Sequence, residues 1–207
     1  RVLFRSFGTY TTYDVRGAQS WCINWASAEM SGYGYSGGNY GNNDNEDWLI
    51  SSPVAITSVS DAKMTMIYCD MFFQNNLNQD LTIWASSNYI IGSDPKTATW
   101  TQVVVNLNEG NSWSYQTAEI PLTEFVGQTV TFAVKYVSST SRAGTIEIQS
   151  IAIEEGVVES HFITAGCWNL ASNWSTGVIP GPEAEVFIDA NCQLDIDATV
   201  ATLNINS

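Results

Sequence analysis

Residues 129–136 alternate without a break. Val130, Phe132, Val134 and Tyr136 fall on one side of an extended chain, and Thr129, Thr131, Ala133 and Lys135 on the other. Side chains of a strand point to opposite faces in turn, so this is a strand of a sheet covered on one side. Similar stretches rich in Thr, Val, Ile, Tyr and Trp, bounded by Gly, Asn, Asp and Pro, predict strands over 18–23, 47–50, 62–69, 80–86, 101–105, 114–120 and 145–153. Helix-period repeats are scarce, and the chain reads as all-β. The pattern changes after Glu154-Glu155-Gly156, which places a domain boundary near Gly156. Beyond it, the run Gly166-Cys167-Trp168 through Trp174 to Pro180 precedes two short apolar strands, Glu185-Val186-Phe187-Ile188 and Ala201-Thr202-Leu203-Asn204-Ile205. Short strands of this kind look like the first coils of a parallel β-solenoid, whose rungs bury their faces only by stacking on neighbours.

Four blocks carry a family resemblance. They are Tyr33-Gly34-Tyr35-Ser36-Gly37-Gly38, then Asn45-Glu46-Asp47-Trp48-Leu49-Ile50-Ser51-Ser52-Pro53, in which acids and an indole run into a strand that a proline ends. Asp94-Pro95-Lys96-Thr97-Ala98-Thr99-Trp100-Thr101 and Phe132-Ala133-Val134-Lys135-Tyr136 follow. In this order they resemble the choice-of-anchor J module of secreted Bacteroidota proteins, related to the cleaved-adhesin domains of gingipains, over roughly residues 3–154. The resemblance implies a jelly-roll β-sandwich over residues 1–155 and a secreted or cell-surface binding module, without naming its ligand. Residues 156–207 resemble the opening of a second Bacteroidota surface β module, expected to be truncated here.

Lys and Arg total 7 against 21 acids, a formal charge of −14. Such a chain repels phosphate backbones and anionic bilayers, which argues against nucleic acid as a partner. No apolar run approaches the roughly 20 residues of a membrane-spanning helix, and the N-terminus lacks the regions of a signal peptide. The sequence starts and stops in mid-pattern, so it is expected to be a fragment of something larger, extracellular or at the cell surface. Its 44% hydrophobic content is enough for a real core.

An enzyme needs a nucleophile, a base and an orienting group. The single His, His161, stands in the connector, and neither a nucleophile elbow nor an HExxH motif accompanies it. Nothing among the acids marks a glycosidase pair. The chain is therefore read as non-catalytic. Cys22, Cys69, Cys167 and Cys192 occur singly, which excludes thiolate metal sites of CxxC spacing. Cys167 and Cys192 are expected to form a disulfide within the second unit, and Cys22 and Cys69 to be small buried hydrophobes.

Two groups of residues are candidates for binding. Asp44, Glu46 and Asp47 gather oxygen ligands beside the glycine-rich stretch 32–41, as a calcium site requires, though the same residues also suit a solvated turn. Related jelly rolls hold structural calcium near their N-terminal strand. Here Arg5 or Ser6 and Gln149 stand where the family carries acids, so two of that site's carboxylates are missing. Trp25, Tyr33, Tyr35 and Tyr40 flank the same Gly- and Asn-rich loop. Such rings stack on the C–H faces of sugars or contact a protein. Trp48, Trp84 and Trp100 are expected to fill the sandwich core. The leading expectation is a module that binds a glycan or a host or cell-surface protein and adjoins neighbouring modules of its own polypeptide. The alternatives are a structural spacer and an accessory module of a secreted hydrolase.

Overall fold

The computed structural model describes residues 2–5, 7–24, 26–57, 62–154, 159–182 and 184–206, with the backbone alone for 2–5. The expected boundary at Gly156 lies outside these residues, as does Trp25. The described residues form two compact units, one up to residue 154 and one from residue 159.

In the first unit the strands are β1 (Val2–Arg5), β2 (Thr11–Arg16), β3 (Cys22–Ile23), β4 (Ala28–Ser31), β5 (Tyr33–Ser36), β6 (Asn39–Asn42) and β7 (Asn45–Ile50). Then come β8 (Val54–Ala55), β9 (Lys63–Met71), β10 (Leu81–Ser86), β11 (Thr101–Val103), β12 (Ser112–Pro121), β13 (Thr129–Ser138) and β14 (Thr145–Glu154). One sheet has the order β12-β9-β14-β4-β3, with β1 also on β14; the other has β11-β10-β13-β7-β2, with β8 also on β13. Every pair in them is antiparallel. From β7 onward the chain passes back and forth between the two sheets, which makes a jelly-roll sandwich. The single α-helix among the described residues, Leu77–Asp80, has four residues.

The core forms where the two inner faces meet. It includes Leu49 of β7, Met64, Met66 and Tyr68 of β9, Ile83 of β10, Phe132, Val134 and Tyr136 of β13, and Ile146, Ile148, Ile151 and Ile153 of β14. Each such side chain contributes about 1.5–3 kcal/mol on leaving water. The change of phase in β14 has a local cause. The register with β9 shifts between Ile148 and Ser150, so exposed Gln149 is the extra residue of a bulge and both isoleucine pairs still face inward.

Two expectations need correction. The far side of β13 is covered rather than solvated, since Thr131 and Ala133 are buried too. Trp48, Trp84 and Trp100 do not fill the space between the sheets. Strand alternation sends Leu49 inward and its neighbours Trp48 and Ile50 outward, where they pack with Tyr89 and Ala133, flanked by Tyr13, Val15, Trp84, Ala98 and Trp100. The segment after β10, carrying Tyr89, Ala98 and Trp100, forms this cover.

The second unit contains β15 (Glu159–Phe162), β16 (Gly166–Cys167), β17 (Glu185–Ile188), β18 (Cys192–Gln193) and β19 (Thr202–Ile205). β15, β17 and β19 pair in parallel, with Glu159 opposite Glu185 and Glu185 opposite Thr202; β16 and β18 pair likewise. Parallel strands joined without an α-helix form stacked coils, closed over Phe162, Trp168, Trp174, Ala184 and Val186. The Trp174 Nε1–H donates to the Trp168 carbonyl at 2.8 Å. The expected Cys167–Cys192 disulfide is absent, and all four cysteines are free thiols. The register explains it: Cys192 lies opposite Gly166 and Cys167 opposite Gln193, so neighbouring positions of alternating strands point the two thiols apart.

Candidate functional site

β5 and β6 form a hairpin that stands outside both large sheets. Its two-residue turn is Gly37-Gly38, with φ of +59° and +93°. Positive φ at both central positions is the demand of a type I′ turn, and glycine meets it without steric cost. The register sets Tyr35 opposite Tyr40 and Gly34 opposite Gly41. Tyr33, two residues before Tyr35, shares its face. One side of the hairpin therefore carries three tyrosines and the other carries glycines. The tyrosines are 55%, 60% and 74% exposed in chain order, and the Tyr35 and Tyr40 rings lie 5.3 Å apart at 60°.

A two-stranded hairpin is marginal by itself in water, so its support matters. The Asn43 Nδ2 donates to the carbonyls of Gly32, Gly34 and Gly41 at 3.3, 3.2 and 2.9 Å. Buried Asn45 continues the network through its Nδ2 to Gln19 Oε1, the Asn43 carbonyl and Ser138 Oγ. The Gln19 side chain donates to the Tyr35 carbonyl and passes beneath Gly34, where a Cβ would meet it at 3.0 Å. The Gly32 N–H donates to the Tyr136 hydroxyl at 3.0 Å, which ties the hairpin's base to the core. All of this support goes to the backbone. The Tyr33, Tyr35 and Tyr40 hydroxyls have no protein partner among the described residues.

The acidic residues beside the hairpin do not converge. Asp44 and Glu46 are bridged by Arg16 at 3.0 and 2.6 Å, and Glu46 also meets Lys135 at 3.1 Å. Burial alone would raise the Glu46 carboxyl, but Lys135, the Trp48 indole N–H and Arg16 outweigh it and hold it below its ordinary range. Asp47, the next residue of β7, points to the opposite face. It is fully buried, and neither carboxylate oxygen has a hydrogen-bond partner. Its cross-strand neighbours are Asp14 on β2 and Tyr136 on β13. Burial and then Asp14 push its pKa up to about 8. Among the described residues no three His, Cys, Asp or Glu side chains gather as metal ligands. Neither Asp14 nor Asn43 carries a sequence signal: β2 has little strand pattern, and Asn43 is one Asn among several.

The tryptophan cover contrasts with the hairpin. Trp48 lies 5.1 Å from Trp100 and 6.4 Å from Trp84, with Lys135 Nζ 5.2 Å from its ring centre. Its indole N–H reaches Glu46, that of Trp84 reaches Thr82, and that of Trp100 reaches the Pro95 carbonyl. These rings are already partnered. His161 lies on β15, where its Nδ1 is 2.5 Å from Asp189 Oδ2 and its ring stacks on Phe187 at 4.7 Å. Among the described residues no hydroxyl or thiol is hydrogen-bonded to that ring. No described helix is long and apolar enough to cross a membrane.

No family model and no curated protein matches the chain. Among solved structures, it is similar to the K1 cleaved adhesin domain of Lys-gingipain from Porphyromonas gingivalis W83. That match has 17% identity and a TM-score of 0.46, and covers 74% of this chain and 98% of that one. The K3 cleaved adhesin domain of the same protein matches at 12% identity and 0.46, covering 73% and 91%. The family 11 carbohydrate-binding module of Clostridium thermocellum, solved with a mixed-linked tetrasaccharide, matches at 11% and 0.39, covering 70% and 88%. Scores below 0.5 carry no inference about what this chain binds.

Proposed function

We propose that the chain is a non-catalytic adhesion or glycan-binding module of a secreted or cell-surface bacterial protein, with Tyr33, Tyr35 and Tyr40 as its contact surface. One observation supports this: three open tyrosines share a face of a hairpin whose every anchor is spent on holding the backbone. Rings so placed present π-faces to sugar C–H groups, and their hydroxyls remain available to the sugar's own. Rigid aromatic side chains also lose little conformational entropy on binding. The test is a titration of the chain with glycans that it retains on an array, repeated with Tyr33→Ala combined with Tyr35→Ala. Weakening by about 1–3 kcal/mol with unchanged melting supports the reading, that being the usual size of an aromatic anchor. Retention of no glycan or cell-surface protein favours a structural spacer, and turnover of a polysaccharide by the chain favours an enzyme.

Calcium is the cation we propose for this module, held by Asp47 and Asp14 rather than by Asp44 and Glu46. The facing of buried Asp47 by Asp14 supports that choice, because two adjacent carboxyls repel when both ionise and a hard cation between them relieves that repulsion. Asp44 and Glu46 already have Arg16 and Lys135. Calcium that raises the melting temperature of the wild type over chelator, and leaves Asp47→Asn unmoved, would support the site; equal responses would end it.

A further inference from the structure

The ladder between β12 and β9 is broken at one place. Ser112 lies opposite Asp70 and Gln116 opposite Tyr68, so Trp113, Ser114 and Tyr115 all stand against the single residue Cys69. The surplus is extruded as a wide bulge, and all three of its residues are exposed. Immediately after β9, Phe72 adopts φ of +67°, a left-handed conformation that a bulky residue seldom takes. Phe73 is buried, so close to Gly144 that a Cβ there would meet its ring at 2.5 Å, and Phe72 is left outside. Phe72, Trp113 and Tyr115 are 61%, 51% and 45% exposed, and the first two rings meet edge to face at 79° with centres 6.5 Å apart. They form an exposed aromatic patch beside the bulge.

This irregular backbone is firmly held. The buried Asp70 carboxylate accepts the N–H groups of Gly110 and Asn111 and the Gln116 Nε2, each within 3.0 Å. Glu109 accepts the N–H groups of Asn75 and Leu77 at 2.8 and 3.1 Å, and the Asn111 Nδ2 donates to the Phe73 carbonyl at 2.9 Å. The Tyr115 hydroxyl donates to Glu147 Oε1 at 2.6 Å. Glu147 in turn lies directly across the strands from Glu29, and no Lys or Arg pairs with either among the described residues. Like charges directly opposite in a sheet destabilise it. A cation between them would reverse that sign, and the negative faces of the adjacent rings attract a cation too.

We propose that this bulge is a docking site for a basic segment of a partner polypeptide, with a Lys or Arg side chain seated against Trp113 and Phe72 and its charge met by Glu147 and Glu29. Charge complementarity selects this occupant over a neutral sugar, since Glu147, bonded to Tyr115 of the bulge, lies across from Glu29 and neither is paired with a Lys or Arg among the described residues.

The probe is tetra-arginine, titrated into the whole chain at low ionic strength. Diffuse attraction to an acidic protein is controlled by Glu124→Gln, an exposed acid elsewhere. Trp113→Ala, and separately Glu29→Gln with Glu147→Gln, are expected to weaken binding about tenfold or more, the effect of losing about 1.4 kcal/mol. Glu124→Gln is expected to change it by less than about twofold, as for a screened distant charge. The glutamines keep an acceptor for Tyr115, and circular dichroism checks the fold of each variant. Trp113→Phe, which retains a ring, should recover most of the binding if Trp113→Ala folds poorly. Equal weakening by all acid variants would overturn the site in favour of diffuse charge. Trp113-dependent binding of cellotetraose without tetra-arginine binding would overturn it in favour of a neutral glycan.

Discussion

Two aromatic groups of similar size lie on the same module and have opposite environments. Trp48, Trp84, Trp100 and Tyr89 interlock over the outer face of one sheet, with each indole N–H bonded within the protein. Tyr33, Tyr35 and Tyr40 project from a hairpin anchored only through its backbone. The difference teaches that aromatic content alone does not mark a binding face. Where polar atoms of the rings are already satisfied, the rings serve the fold; where the support stops at the main chain, they are free for something else.

The sharpest way to break this comparison is to truncate a ring from each group. Trp48→Ala removes a buried indole that touches two other tryptophans and lies beside Lys135, and it is expected to cost about 3–5 kcal/mol in urea unfolding. A loss below about 1 kcal/mol, the range of ordinary surface changes, would place the tryptophan cover with the open rings rather than the core.

Asp47 gives the next largest effect, and its sign follows from the direction of its shift. Its folded pKa is raised to about 8 by burial and by Asp14, while an unfolded Asp titrates near 4. Between those values the folded chain keeps a proton that the unfolded chain has released. Without divalent ions, this group therefore contributes a loss of stability as pH rises from about 4 to 8, by up to about 1.4 kcal/mol per unit. Asp14 and Tyr136 face it across the strands, and the charges of Arg16 and Glu46 act on it from the other face of the sheet. Glu46, held low, works in the other direction, losing its contribution only as the solution becomes acidic. Asp47→Asn should flatten the slope above pH 5 in urea midpoints taken with chelator. Identical slopes in both proteins would show that Asp47 is not the group responsible.

Asn43→Ala sharpens the comparison at the hairpin itself. It removes a donor shared by three carbonyls, worth about 1 kcal/mol, and the loss should be local. Amide exchange of residues 33–42 is expected to speed up while that of β13 is unchanged. Uniform acceleration through the sandwich would mean that the hairpin is part of the core's cooperative unit.

Much of the sandwich was legible in the sequence because its central strands alternate or run long. Of the strands expected at 62–69, 80–86, 114–120, 129–136 and 145–153, the last three lie within observed ones and the first two overhang theirs by one residue at the start. β2 and β4 are not legible there, being four to six residues long with few β-branched apolar positions. The layer of the tryptophans is not legible for a related reason: β7 is buried along its entire length, so hydrophobicity does not say which face looks inward. The exposure of the tyrosines is legible because glycines and asparagines surround them. The acidic trio was not separable in sequence, where Asp44, Glu46 and Asp47 read as one cluster; a strand assigns Glu46 and Asp47 to opposite faces.

The smallest effect expected is on the stability of Tyr33→Ala combined with Tyr35→Ala, and its smallness carries the argument. Both rings are more than half exposed, their hydroxyls hold nothing in the protein, and the contact given up is the tilted pair of Tyr35 with Tyr40. Surface changes away from caps, charges and cavities usually stay within about 0.5 kcal/mol. The turn glycines, the Asn43 network and the Gly32 bond to Tyr136 are all untouched. Urea unfolding of the double variant should therefore match the wild type within that margin, against several kcal/mol for Trp48→Ala. A loss of more than about 2 kcal/mol, typical of buried side chains, would mean that the hairpin's rings are structural after all and would remove the basis for assigning them to a ligand.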